Sequence, residues 1–342
     1  MHAPIVRSRQ ANPIAQVGLL TLIALLASHS VGAWGQDATL AVVEKISGSV
    51  GFYSSDGRRV GGAKVGVHPH EMALSPDKKF LYVTDNGILW MTQPGEGGNT
   101  ISIIDVASRR KVGVIDLVDY RRPHGIDVDA RTGFLAVTIE NPDGLLIVDP
   151  AGRNVVKKYD VGGQDPHMVL VDPSGDWAYV SNTGSDTLAA LNLQTGDLIT
   201  ISSGPRPQGG VLAPDGKTIY LTNAGDESIS VIDIAKKEQV GTIQTGRGPV
   251  RIALTPDGKT LVYGLQSGEA VGFADVASRM EVKQIPLGGP PVSLTMSSDG
   301  RVVYSSVQEQ DKIFVISVHD RKILRWIQTP KGSGPDPVIP LR

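Results

Sequence analysis

Cysteine is absent from the 342 residues. Its absence excludes disulfides, thiolate zinc sites, a CxxCH haem attachment and a lipidated N-terminal cysteine. No basic run follows the N-terminal segment, and the formal net charge is only −2. Such a balance leaves no footprint for a phosphate backbone, so no nucleic-acid partner is expected. The GxSxG elbow, the GxGxxG fingerprint and the DxDxDG calcium loop are all missing, which removes the familiar hydrolase, dinucleotide and EF-hand readings. Long apolar runs are missing too. The stretch VGLLTLIALLA at 17–27 is too short to span a bilayer comfortably. With Arg7 and Arg9 before it and small residues up to Ala33 and Gly35 after it, 1–35 reads as a signal peptide. An uncleaved anchor is the alternative. Cleavage predicts a periplasmic or secreted protein with no membrane span, expected to be a monomer, its single domain running over 36–342.

What is plentiful is turn chemistry. Forty glycines and 22 prolines suit a chain of short strands and tight turns. They recur in register. TPDGK at 255–259 is echoed by APDGK from Ala213, DPSGD from Asp172, SSDGR from Ser297, SPDKK from Ser75 and a degenerate DARTG from Asp129. The successive steps are 54, 43, 41, 42 and 42 residues, the long first one reflecting an insertion at 86–100. Each unit reads apolar stretch, Pro-Asp-Gly turn, β-branched and aromatic strand, polar loop, third strand, short turn, fourth strand. Four strands in roughly 42 residues is the length of one propeller blade. An open β-solenoid is the alternative for such a repeat.

Each innermost strand begins at a proline: Pro69, Pro123, Pro166, Pro207, Pro249 and Pro291, with a seventh near 335–337 that has nothing after it. The N-terminal segment 39–53 (TLAVVEKISGSVGFY) aligns with 260–274, the second and third strands of a unit. The expected fold is therefore an all-β, seven-bladed β-propeller with four antiparallel strands per blade. The C-terminal strand completes the N-terminal blade and leaves no open strand edges at the seam.

YVTDNG at 82–87, YVSNTG at 179–184 and YLTNAG at 220–225 resemble the YVTN-repeat β-propellers. The resemblance spans 39–341. The wider group includes lactonase-type propellers, the haem-binding propeller of nitrite reductase and amine dehydrogenase heavy chains, so it implies a fold and leaves function open. YGLQSG at 263, YSSVQE at 304 and FLAVTIEN at 134–141 depart from the motif and mark relaxed or specialised blades. The recurrent tyrosines (Tyr82, Tyr179, Tyr220, Tyr263, Tyr304) are expected to pack between blades.

Candidate site residues gather on one face. Loops leading into innermost strands share that face with loops between second and third strands. Histidine follows the proline in three successive blades, as His70, His124 and His167. The insertion, carrying Trp90 and a glycine-rich PGEGGN that reads as a lid, sits there too, as do Glu71, Arg122, Glu140, Arg206 and Arg251. Three imidazoles with Glu71 or Glu140 suit a divalent metal with an open position. A histidine acting as general base, with arginines holding an anion, is a second possibility. The plainer alternative is that each histidine caps its strand by bonding a neighbouring backbone group.

Three functions compete: a non-catalytic binding or scaffold propeller for a protein or small-molecule ligand, favoured because no catalytic signature is complete; a lactonase- or lyase-like enzyme using the histidines; and a haem- or quinone-pathway accessory protein.

Overall fold

A computed structural model describes residues 1, 2, 4 and 37–342. The expected signal segment therefore lies outside the described residues apart from Met1, His2 and Pro4. Residues 36–342 form one compact unit. Within 37–342, strands make seven four-stranded antiparallel sheets, and the one helical element is a 3-10 turn at Gln308–Gln310.

Six sheets are consecutive in sequence: blade 1 (69–116), blade 2 (121–159), blade 3 (166–202), blade 4 (207–244), blade 5 (249–286) and blade 6 (291–328). Blade 7 is composite. Its strands run Pro335–Pro340, Ala38–Glu44, Ser49–Ser54, Arg59–Lys64 from inside to outside. Ala41 pairs with Ile339 and Val42 with Val338, so the chain's two ends are zipped by backbone hydrogen bonds. The seven innermost strands neighbour one another in cyclic order around a channel, the last touching the first.

Local chemistry explains the blades. In the Pro-Asp-Gly turns and the Ser-Asp-Gly one of blade 6 the glycine takes a positive φ (Gly216 +67°, Gly258 +72°, Gly300 +70°), and the aspartate accepts a backbone N–H two residues on, as Asp215 does from Lys217 at 2.9 Å. At the ends of third strands Asp149 accepts likewise from Ala151, and Asp105, Asp233 and Asp275 accept from the N–H three residues on. Alternating side chains then face the two neighbouring blades. Seven hydrophobic clusters result, each built from two adjacent blades, and together they cover every junction. Tyr82, Tyr179, Tyr220 and Tyr304 fill equivalent positions in them, three residues before the partner of the blade's first proline. Tyr263 is out of that register. It lies two residues before its proline's partner Leu265 and packs on the opposite side, toward blade 4.

Candidate functional site

Every innermost strand begins irregularly, and that irregularity builds the site. Pro69 pairs with Asp85, yet the next pair is Met72 with Val83, so His70 and Glu71 together face the single residue Thr84. The same bulge presents His124–Gly125, His167–Met168, Gln208–Gly209, Val250–Arg251 and Asp336–Pro337. A bulge lets two consecutive side chains aim where a regular strand would send only one. In blades 1 to 4 the residue opposite is a hydroxyl that donates to the next blade's backbone: Thr84 to His124 O (2.8 Å), Thr138 to His167 O (2.8 Å), Ser181 to Gln208 O (2.7 Å) and Thr222 to Val250 O (2.9 Å); Ser306 of blade 6, paired with Ser293, donates likewise to Asp336 O (2.7 Å). These hydroxyls, including the threonine or serine of the YVTN-like motif, tie blade to blade.

The three histidines come together as a buried column. Ring centroids of His70 and His124 are 4.5 Å apart and tilted by 59°; those of His124 and His167 are 4.2 Å apart and tilted by 35°. Partners set the tautomers at the two ends. His70 Nδ1 faces the Lys45 ammonium at 3.4 Å and must accept, so its Nε2–H donates to Ile88 O at 2.9 Å. His167 Nδ1–H donates to Gln208 O at 3.2 Å. His124 Nδ1 is buried without a hydrogen-bond partner. Burial and the nearby cations Lys45 and Arg251 push all three imidazoles far below the usual histidine range, His167 to about 3. The column is neutral at any physiological pH.

Lys45 caps the column. It donates to Asp336 Oδ2 at 3.0 Å, and Gln308 donates to the same oxygen at 3.0 Å. One residue deeper, Arg251 of blade 5 reaches across the channel to Glu71 of blade 1 at 2.6 Å, Glu71 buried and Arg251 largely so. Burial nevertheless pushes the Glu71 carboxyl up. Below this strut lies a cavity of about 140 Å³.

The insertion folds over the mouth. Ile88 O meets His70, Arg122 donates to Met91 O at 2.7 Å, and the Lys45 ammonium lies 5.3 Å from the centre of the Trp90 ring. Arg122 also holds Glu140 at 2.7 Å. Burial dominates there and lifts the Glu140 carboxyl to about 7. Gly97 has φ +75° and packs so closely on Arg122 that a Cβ would collide with its side chain.

Of the residues singled out in the sequence, His70, His124, His167, Glu71 and Arg251 share the channel mouth, with Arg122, Glu140 and Trp90 around the insertion. Arg206 stands apart, exposed on the rim, its backbone N–H bonded to Asp186. The metal expectation does not find its geometry. The imidazoles lie against one another as tilted rings, Glu71 and Glu140 are each held by an arginine, and among the described residues no group of three His, Cys, Asp or Glu is placed to hold a metal ion. The strand-cap alternative describes His167, bonded to a neighbouring blade's carbonyl. Sequence reading missed Lys45, Gln308 and Asp336. A signal existed for Asp336: it follows Pro335 as His70 follows Pro69.

No protein-family model matches the sequence, and no curated protein matches it. Solved structures do. A Kuenenia stuttgartiensis hydrazine synthase chain aligns with TM-score 0.65 and 18% identity, covering 78% of this chain and 90% of that one. A functionally unknown protein from Desulfotomaculum acetoxidans aligns with TM-score 0.72 and 15% identity, covering 89% and 98%. Dihydro-heme d1 dehydrogenase NirN aligns with TM-score 0.65 and 14% identity, covering 89% and 75%. At such identities the likeness is one of fold, and the fold of this chain is a seven-bladed β-propeller.

Proposed function

We propose that this chain is an exported YVTN-type propeller that binds a ligand or partner without catalysis, on the channel-mouth face around Trp90 and Arg206. One observation carries this reading: the charged groups of the mouth are paired with one another, Lys45 with Asp336, Arg251 with Glu71 and Arg122 with Glu140. A general base works best with a pKa near the operating pH, and a neutral imidazole column with His167 at about 3 is poorly suited to that task. What the face offers outward is a rigid rim with a partly exposed tryptophan, a good anchor for recognition.

The test is capture. Immobilised wild-type protein should retain a partner from periplasmic extract or culture medium that a Trp90→Ala, Arg206→Ala variant with unchanged melting does not. Hydrolysis of a lactone panel that disappears in His124→Ala would instead establish the lactonase- or lyase-like alternative. The likeness to a dihydro-heme d1 dehydrogenase keeps the haem-accessory reading alive. A Soret shift on incubating the protein with haem, lost in His70→Ala, would favour it over the binding role.

A further inference from the structure

On the face opposite the histidines, the junction between blades 2 and 3 holds a cavity of about 260 Å³. The repeat explains why it is there. The position that carries Tyr82, Tyr179, Tyr220 and Tyr304 in four blades is Ala41, Ala136 or Val262 in the other three. In blades 7 and 5 the residue directly opposite is a phenylalanine, Phe52 facing Ala41 and Phe273 facing Val262, and it refills the junction. In blade 2 the residue opposite Ala136 is Ile147, which cannot. A second departure sits beside it. The outermost strands of blades 1 and 3 to 6 place Ile115, Ile201, Ile243, Ile285 and Ile327 where blade 2 has Tyr159. Tyr159 bonds across the junction to Leu193 O. Both substitutions touch the same cavity, whose other walls include Phe134, Val171 and Leu193.

At its solvent-exposed edge the cavity has one charged group without a counter-ion. The Lys157 ammonium lies 4.2 Å from the centre of the Tyr159 ring, and among the described residues no carboxylate pairs with it. Asp129, the acidic group at the wall, is already held by Arg131 N at 2.9 Å, Thr132 Oγ1 at 2.7 Å and Arg131 Nε at 3.7 Å. A mostly apolar concave site with a few polar groups is the usual form of a small-molecule pocket. We infer that this junction binds a small monocarboxylate with an aromatic or branched apolar body, its carboxylate on Lys157 and its body in the space left by Ala136.

The probe is 3-phenylpropionate, with 3-phenylpropanol as its neutral counterpart. The acid should raise the melting temperature in a concentration-dependent way and bind more tightly than the alcohol. Lys157→Ala should weaken the acid by about fivefold and leave the alcohol unchanged. Ala136→Tyr with Tyr159→Ile gives blade 2 the residues its sister blades fold with; it should melt no lower than wild type and bind neither probe. Channel-mouth variants such as Trp90→Ala should bind the acid normally, so this test and that of the proposed function fail independently. Undiminished binding by the refilled double variant, no response to millimolar 3-phenylpropionate, or equal binding of acid and alcohol would each overturn the inference.

Discussion

The buried histidines make the fold pH-sensitive in a direction that can be worked out residue by residue. Above about pH 6.5 an imidazole is neutral in both folded and unfolded chains. As pH falls, the unfolded chain takes up protons that the folded column refuses, so each imidazole withdraws stability, for His167 on the order of 2 kcal/mol at pH 5. Glu140, lifted to about 7, and Asp127, lifted to about 6 by burial, act the other way: folded, they hold protons that the unfolded chain has released. The sum is best dissected by difference. His167→Gln should lose less stability than wild type between pH 7 and 5. Parallel urea-melt profiles for the two proteins would show that His167 does not titrate on unfolding.

Glu71 and Arg251 give a second residue-scale outcome. Removing one member of a buried pair leaves a lone charge, which costs about 3–5 kcal/mol, whereas neutral replacement of both is much cheaper. Arg251→Met should therefore be severely destabilised, and Glu71→Gln with Arg251→Met should recover most of the loss in chemical denaturation. Additive single-variant losses would mean that the strut is not a coupled pair.

At the scale of the element, the bulge and its hydroxyl are one device. Thr222 Oγ1 accepts from Gly209 N at 3.1 Å and donates to Val250 O at 2.9 Å, bridging blades 4 and 5. Thr222→Val keeps the shape and removes both bonds, a loss of about 1–3 kcal/mol for buried groups left unsatisfied. The insertion is a separable element. Gly97→Val should lift it from Arg122 and speed proteolysis within 88–97, while the ring's melting temperature changes little. A global loss of stability would show that the insertion is part of the structural ring. These elements were only partly legible beforehand. Turn residues reveal where strands stop, but a bulge is a matter of register between two strands, and Thr222 looks like any strand threonine until its partner is known.

At the scale of the whole molecule, stability depends on the seam. The strand Pro335–Pro340 supplies the innermost strand of blade 7 and hydrogen-bonds along Ala38–Glu44. Deleting 335–342 opens a strand edge and exposes two junctions at once, those holding Val338 and Leu341. We expect that deletion to lower the melting temperature far more than shortening the 86–99 loop by as many residues. Equal effects would show that the ring does not need its seam.

The repeat of Pro-Asp-Gly turns, the proline opening each innermost strand and the half-blades at the two ends sufficed to specify seven blades and their closure. Those are local or periodic signals, and a chain carries them in its order. The shared face of His70, His124 and His167 followed from the same periodicity. Whether their rings converge on an ion or pack against one another did not, because bulge register and the caps Lys45 and Asp336, 291 residues apart, exist only once the ring has closed. The space beside Ala136 is of the same kind. An alanine in place of a tyrosine is visible in the letters, but whether a neighbour fills the gap is decided by packing across blades.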